Sequence, residues 1–221
     1  MFSRIASRYD LMNHLLSANL DILWRRKAAR ECGPGDKVLD LCVGSGDMAL
    51  AWTKVQQKGQ VVGLDFCREL LERIKRKAQG NSRLTIVEGD ALQMPFPDGT
   101  FDVVMCAFGI RNLADIKKGM QEVARVSRPD GCCMILDFFR PRRWITRVFY
   151  ATYGRYVIPL AGRWIGADSD AYEYLRHSVR RFLSLEEFRD LMSEVGFEQI
   201  HHRHLSAGVA TVVSGRRRAR L

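Results

Sequence analysis

Val38-Leu39-Asp40-Leu41-Cys42-Val43-Gly44-Ser45-Gly46-Asp47-Met48-Ala49 decides the fold of this chain. It reads as a buried strand with an acid near its end that runs straight into a glycine turn. Glycines at that place let the backbone approach a ligand closely while a helix starts beneath it. Gly44 to Ala49 also spells G-x-G-x-x-A, which in a dinucleotide site would turn the helix N-terminus toward a pyrophosphate. Asp40 argues otherwise, because a carboxylate beside the loop repels phosphate and attracts an ammonium group. S-adenosylmethionine carries an ammonium and a sulfonium, so it is favoured over a dinucleotide. A strand-to-helix turn with no ligand is the third reading.

Further signals follow at the right intervals. Val61-Val62-Gly63-Leu64-Asp65 is a second apolar strand ending in an acid. About 20 residues after a glycine loop is where a ribose-binding carboxylate belongs in a doubly wound sheet. Asp65 is therefore expected on the ribose hydroxyls, or, more simply, as the N-cap of a helix over 68–79. A third strand, Leu84 to Glu88, leads into Gly89-Asp90-Ala91, where a side chain and a backbone N–H could read an adenine edge.

Outward from this region, strands at 37–42, 60–64, 84–88, 102–107 and 132–138 alternate with helices at 46–57, 68–79 and 115–127. Such alternation predicts a parallel sheet covered on both faces. A helical segment over 2–31, broken around 17–20, precedes it. A helix at 186–195 and two strands at 198–204 and 210–214, close enough to form a hairpin, end the chain. The expected fold is α/β and Rossmann-like: a mostly parallel seven-stranded sheet ending in an antiparallel hairpin.

Composition sets the outer limits. The 221 residues suit one domain, and 47% hydrophobic with 27% charged residues is ordinary for a globular protein. A formal charge of +10 favours an anionic partner, nucleic acid or an acidic membrane surface. Six dispersed cysteines form no C-x-x-C and no zinc pattern with histidine, so no metal is expected and reduced thiols in a cytoplasmic compartment fit. His202 and His204 should share one strand face and His201 the other.

The chain resembles the menaquinone/ubiquinone biosynthesis C-methyltransferase family, of the demethylmenaquinone methyltransferase type. The resemblance rests on Phe2-Ser3-Arg4-Ile5-Ala6 with Tyr9-Asp10-Leu11-Met12-Asn13, the glycine loop, Met94-Pro95-Phe96 with Phe101-Asp102, Phe108-Gly109-Ile110-Arg111-Asn112, Arg125-Val126 with Arg128-Pro129-Asp130-Gly131, and Tyr172-Glu173-Tyr174-Leu175 with Ser178. Phe-Gly-Ile-Arg-Asn after the fourth strand discriminates most. Nucleic-acid amino-methyltransferases would show Asn/Asp-Pro-Pro-Tyr there. The sequence departs from the family pattern at Asp137, usually Glu, at His177, commonly an acid, and at Val213, often His. Leu-Asp-Phe and Gly-Leu-Asp-Phe resemble the naphthoquinone-methylating photosynthetic branch.

The resemblance implies S-adenosylmethionine-dependent C-methylation of a prenylated demethyl-quinol ring, with S-adenosylhomocysteine as product. The ring could be that of demethylmenaquinol, demethylphylloquinol or 2-methoxy-6-polyprenyl-benzoquinol. Expected donor contacts are Asp40, Gly44, Ser45, Gly46, Asp65, Asp90, Ala91 and Ala107. Expected catalytic residues are Arg111, Asn112 and Asp137: Arg111 stabilises a phenolate or positions a water, Asn112 orients a ring oxygen, and Asp137 accepts the hydroxyl proton. An ion pair capping the sheet is the plainer reading of Arg111, and Tyr174 or His177 are the alternative bases.

One domain over 1–221 is expected, with an N-terminal helical segment at 1–31, a helical insertion at 140–183 capping the active site, and a basic tail at 216–221. The insertion interleaves Arg140, Arg142, Arg143, Arg147, Arg155 and Arg163 with Trp144, Phe149, Tyr150, Tyr153, Tyr156 and Trp164. That mixture suits a bilayer interface, or an apolar cap over a prenylated quinol. Arg155, Pro159 and Arg163 keep the stretch over 148–166 from spanning a bilayer. The expected partners are thus the quinol and an anionic membrane surface, on whose inner face a cytoplasmic protein would lie, with a homodimer left open and no nucleic acid. A methyltransferase for another small phenolic or lipid-like acceptor, and a basic RNA-binding protein on the same scaffold, are the competing readings.

Overall fold

The computed structural model describes residue 17 and residues 19–140 and 177–219. The N-terminal part of the helix expected over 2–31, residues 141–176 of the insertion at 140–183, with Tyr174, and the end of the basic tail lie outside the described residues.

The described chain opens with α1 (Leu20–Glu31) and continues through β1 (Lys37–Leu41), α2 (Asp47–Val55), β2 (Gln60–Asp65), α3 (Arg68–Lys77), β3 (Leu84–Glu88), β4 (Phe101–Ala107), α4 (Ile116–Val126), β5 (Ser127–Asp137), α5 (Leu185–Glu194), β6 (Phe197–Leu205) and β7 (Ala210–Arg217). The strands form a seven-stranded sheet in the order β3-β2-β1-β4-β5-β7-β6. Strands β1 to β5 pair in parallel, and β7 and β6 add in antiparallel. This is the expected α/β architecture with its terminal hairpin.

Because β1 and β4 lie at the centre, their apolar residues are buried on both faces, as parallel strands under helices must be. One core places Trp24, Ala28, Met48, Trp52, Leu71 and Ile74 of α1, α2 and α3 against the sheet. The opposite core places Met120, Val123, Phe188, Leu191 and Met192 of α4 and α5 against it. Ser184 caps α5 in a capping box with Glu187.

Two boundaries differ instructively from the sequence reading. Strand β5 starts at Ser127 because Phe101 pairs with Ser127 before a register shift brings Val103 opposite Cys132, and Asp130 takes φ 60° in the intervening bulge. Strand β7 runs to Arg217, so the first arginines of the expected tail belong to the sheet. There Arg217 donates from Nε to Ala124 O (2.9 Å) and from Nη1 to Gly196 O (2.8 Å), and Arg216 donates to Asp130 O (3.0 Å). Backbone carbonyls of α4 and of the turns at Asp130 and Gly196 thus accept from these side chains, although Arg216 stays exposed.

Arg83 plays a similar part at the amino ends of the strands. Its guanidinium donates to Gly59 O (2.8 Å), Thr53 O (3.1 Å), Gln56 O (2.8 Å) and Lys58 O (2.8 Å) and lies 5.6 Å from the Trp52 ring centroid. Arg83→Ala is expected to lower stability by about 2–3 kcal/mol, since a charged donor to several carbonyls is lost at once. Urea unfolding checks this: the midpoint should fall with an unchanged slope, and a loss below about 0.5 kcal/mol would show that water replaces the contacts.

Candidate active site

The parallel strands bring Asp40, Asp65, Ala107 and Asp137 to one edge of the sheet, where open α/β folds bind ligands. After β1, Cys42 adopts φ 54°, Gly44 φ 55° and Gly46 φ 86°, and α2 begins at once. Gly46 is required twice over: the left-handed backbone disfavours a side chain, and a Cβ would lie 2.3 Å from Ile74 Cδ1. Ser45 is buried, with its hydroxyl 3.3 Å from Asp47 Oδ2.

Asp40 is 1% exposed, and its Oδ2 has no hydrogen-bond partner among the described residues. Desolvation pushes its pKa up to about 8, against the opposing pull of the Ala49 backbone N–H and the Arg25 charge. A buried carboxylate with an unmatched oxygen beside a glycine loop fits a cationic ligand group, which would supply the missing partner.

The same shift has a consequence for stability. Between its ordinary value of 3.8 and about 8, folded Asp40 holds a proton that the unfolded chain has released. Without ligand, stability should therefore fall as pH rises through that interval and level off above it. Asp65 and Asp137 are raised as well, so the comparison must be with Asp40→Asn. The variant should show a shallower decline between pH 5 and pH 8 in chemical unfolding, and parallel curves for the two proteins would contradict it.

Asp65 ends β2 and is 7% exposed. Its Oδ2 accepts from Gly44 N (2.9 Å) and its Oδ1 from Cys67 N (2.9 Å), and burial still raises its pKa. The N-cap of α3 is Cys67, so the simpler expectation of Asp65 as helix cap is corrected: its carboxylate ties the glycine loop to the start of α3 instead. Carboxylate oxygens have two lone-pair directions each, which leaves acceptor capacity for ribose hydroxyls. Phe66, next along, is 65% exposed beside this acid. The sequence reading passed over it, although its place directly after a strand-terminal acid is the kind of signal that marks a ligand platform.

Asp90 is exposed, and its Oδ1 accepts from Leu92 N (2.8 Å). Ala91 is 8% exposed beneath it. Gly89 N donates to Asp65 O (3.0 Å), which fastens this turn to the β2 end. Ala107 ends β4 opposite Leu136.

Arg111 lies in the short helical turn after β4. Its Nη1 donates to Asp137 Oδ1 (2.6 Å) and to Phe108 O (2.7 Å), and its guanidinium lies 5.5 Å from the Phe138 ring centroid. Both the expected catalytic arginine and the expected base are thus partners in one ion pair, with side chains 8% and 0% exposed. Asp137 also accepts from Phe138 N (2.8 Å) and, weakly, from Arg111 N (3.4 Å). Burial raises its pKa while Arg111 pulls it down. Asn112 Nδ2 donates to Phe108 O (3.3 Å), so Phe108 O is shared by both side chains. Gly109 admits the turn because a Cβ there would meet Cys42 Cβ at 2.5 Å.

Above the strand ends, Trp24 of α1 meets Phe108 (6.2 Å between centroids) and Phe138 (6.0 Å), which lie 4.8 Å apart. Arg25 covers Phe108 at 5.1 Å. Trp24-Arg25-Arg26-Lys27 reads in sequence as a charge run, and Asp21 four residues before Arg25 was the available hint of a buried pair. His177 is exposed, and the rings of His202 and His204 share a face of β6 at 5.2 Å.

Residues 1–217 match the ubiE/COQ5 methyltransferase family. The chain belongs to that family. The methyltransferase is 40% identical over 221 residues to a protein of Thermus thermophilus named demethylmenaquinone methyltransferase, covering 98% of this chain and 100% of the relative. It is 39% identical to the ubiquinone/menaquinone biosynthesis C-methyltransferase UbiE of Geobacter sulfurreducens, covering 97% and 86%. Among solved structures, a SAM-dependent methyltransferase from Thermotoga maritima shares its fold at 20% identity and a TM-score of 0.70, with 98% of each chain covered. These likenesses make the chain an enzyme that transfers methyl groups in quinone biosynthesis, on the expected fold.

Proposed function

We propose that this methyltransferase uses S-adenosylmethionine to methylate the ring carbon of a prenylated demethyl-naphthoquinol such as demethylmenaquinol. The observation that carries the donor is Asp40, a buried carboxylate with one oxygen unmatched beside Gly44 and Gly46. It would hold the donor ammonium group, Asp65 the ribose hydroxyls, Asp90 and Ala91 the adenine edge, and Phe66 an adenine face. The Thermus thermophilus relative, named for demethylmenaquinone, supports the naphthoquinol nucleus.

The bound donor supplies a methyl on a good leaving group. The chain's own task is then to align the acceptor, exclude water and stabilise charge on its oxygen. Arg111 would meet the negative charge that grows on a quinol hydroxyl, and Asn112 would orient that oxygen. Arginine's high pKa makes it a stabilising cation and not a base. Asp137 is proposed as the residue that positions Arg111: its oxygens already receive a guanidinium and backbone N–H groups, which suits it poorly to capture a substrate proton.

Membrane association is proposed as peripheral, where prenylated acceptors reside. No helix among the described residues is long and apolar enough to cross a bilayer. Helix α1 exposes Leu20, Ile22 and Leu23 beside Arg26, Lys27 and Arg30, which suits an anionic lipid surface. Vesicles with anionic lipid should bind the protein and release it when salt is added, as screening requires. Equal binding to neutral vesicles at all salt concentrations would reject this mechanism.

The deciding assay is transfer of labelled methyl to reduced demethylated naphthoquinol and benzoquinol side by side. Faster transfer to the naphthoquinol is expected. Preference for the benzoquinol would reassign the nucleus, and transfer only to a water-soluble phenol would overturn the quinol reading.

A further inference from the structure

We infer that Arg25 is the cationic half of the donor subsite and receives the α-carboxylate of S-adenosylmethionine while Asp40 receives its ammonium group. This deepens the donor assignment above and rests on it. The amino-acid end of the donor is a zwitterion. A site that buried it against Asp40 alone would match one charge and strand the other.

Three observations support this assignment of Arg25. It is 6% exposed, and α1, which carries it, packs against α2, whose amino end is the glycine loop. Its guanidinium covers the ring of Phe108, the residue that follows β4 with φ 61° and so stands at the ligand edge of the sheet. Its charge also acts on the Asp40 carboxylate, opposing the effect of burial there.

The guanidinium is held in place from behind. Arg25 Nη1 donates to Asp21 Oδ2, and Ser17 Oγ donates to Asp21 Oδ1 (2.6 Å). One carboxylate does not exhaust the five N–H donors of an arginine, and a planar fork suits a second one. Among the described residues, Lys77 beside the loop pairs with Asp47, and Arg111 is the cation proposed above for the acceptor oxygen.

The test uses ligands that differ only in the carboxylate, S-adenosylhomocysteine and its decarboxylated analogue, titrated by calorimetry. The unmodified chain should prefer the carboxylated ligand by about tenfold or more, the worth of one charge-assisted pair. Arg25→Gln combined with Asp21→Asn keeps the buried pair neutral, and should bring the two affinities to within about twofold of each other. Arg25→Lys, which leaves Asp21 in place, should keep part of the preference. If the double variant weakens both ligands equally, Arg25 is a structural residue and the inference fails. It fails too if the unmodified chain binds both ligands alike. Should neither ligand bind the unmodified chain, the donor assignment itself is wrong, a result separable from the other two.

Discussion

Arg111→Ala is expected to slow methyl transfer by two orders of magnitude or more with donor and reduced quinol saturating. Preorganised contacts to charge that develops in the transition state are worth about 3 kcal/mol, and Arg111 is a cation just past the carboxyl end of β4. The substitution also leaves Asp137 buried without its counter-charge, and breaking a buried pair costs about 3–5 kcal/mol of stability. The measurement therefore needs Arg111→Ala together with Asp137→Asn, which removes the orphaned charge. Arg111→Lys keeps a cation but loses the planar guanidinium, whose Nη1 donates to both Asp137 Oδ1 and Phe108 O, and should recover only part of the rate. Asp137→Asn alone should slow transfer less than Arg111→Ala does. It can still orient the guanidinium, and it would be silent as a base. Single-turnover kinetics decide the matter. If the Arg111 variants transfer at the unmodified rate, the pair only closes the sheet, and Tyr174 and His177 become the residues to test.

The second large effect belongs to Asp65. Asp65→Ala should weaken donor binding by about 2 kcal/mol or more, since hydrogen bonds that a carboxylate accepts from a desolvated ligand fall in that range. The structure adds a second cost. Gly44 N and Cys67 N both donate to this carboxylate, so alanine would leave two backbone donors unmatched and loosen the glycine loop. Asp65→Asn retains an acceptor but must set one N–H donor against another, and should fall between alanine and the native chain. Calorimetric titration with S-adenosylhomocysteine, read beside thermal unfolding of the unliganded variants, separates ligand contact from loop support. Unchanged affinity with a lowered melting temperature would leave Asp65 as a loop tether and remove it from the ribose site.

These two residues show how unevenly a sequence announces its site. Asp65 and Asp40 could be read directly because each lies at or near the end of an apolar strand run before a turn, and strand ends on a parallel sheet converge by topology alone. Arg111 could be placed by its distance from the fourth strand. Its bond to Asp137 lies 26 residues away along the chain and depends on β4 and β5 being neighbours in register. The contact of Arg25 with Phe108, and of Trp24 with Phe138, joins the first helix to turns more than eighty residues later. No local period encodes such a meeting.

What the amino-acid sequence by itself determined is the order of strands and helices, the parallel sheet with its closing hairpin, the glycine loop and the acids beside it. Those follow from hydrophobic period, turn residues and chain direction, which are local properties. What only the tertiary structure decided is which groups keep their charge, which are already paired, and which bury an unmatched atom. Asp40 and Asp137 are both acids at or near the end of a buried strand. One has an oxygen without a partner among the described residues and the other faces a guanidinium at 2.6 Å, because burial and partners are set by what packs across the sheet and not by the neighbours in the chain.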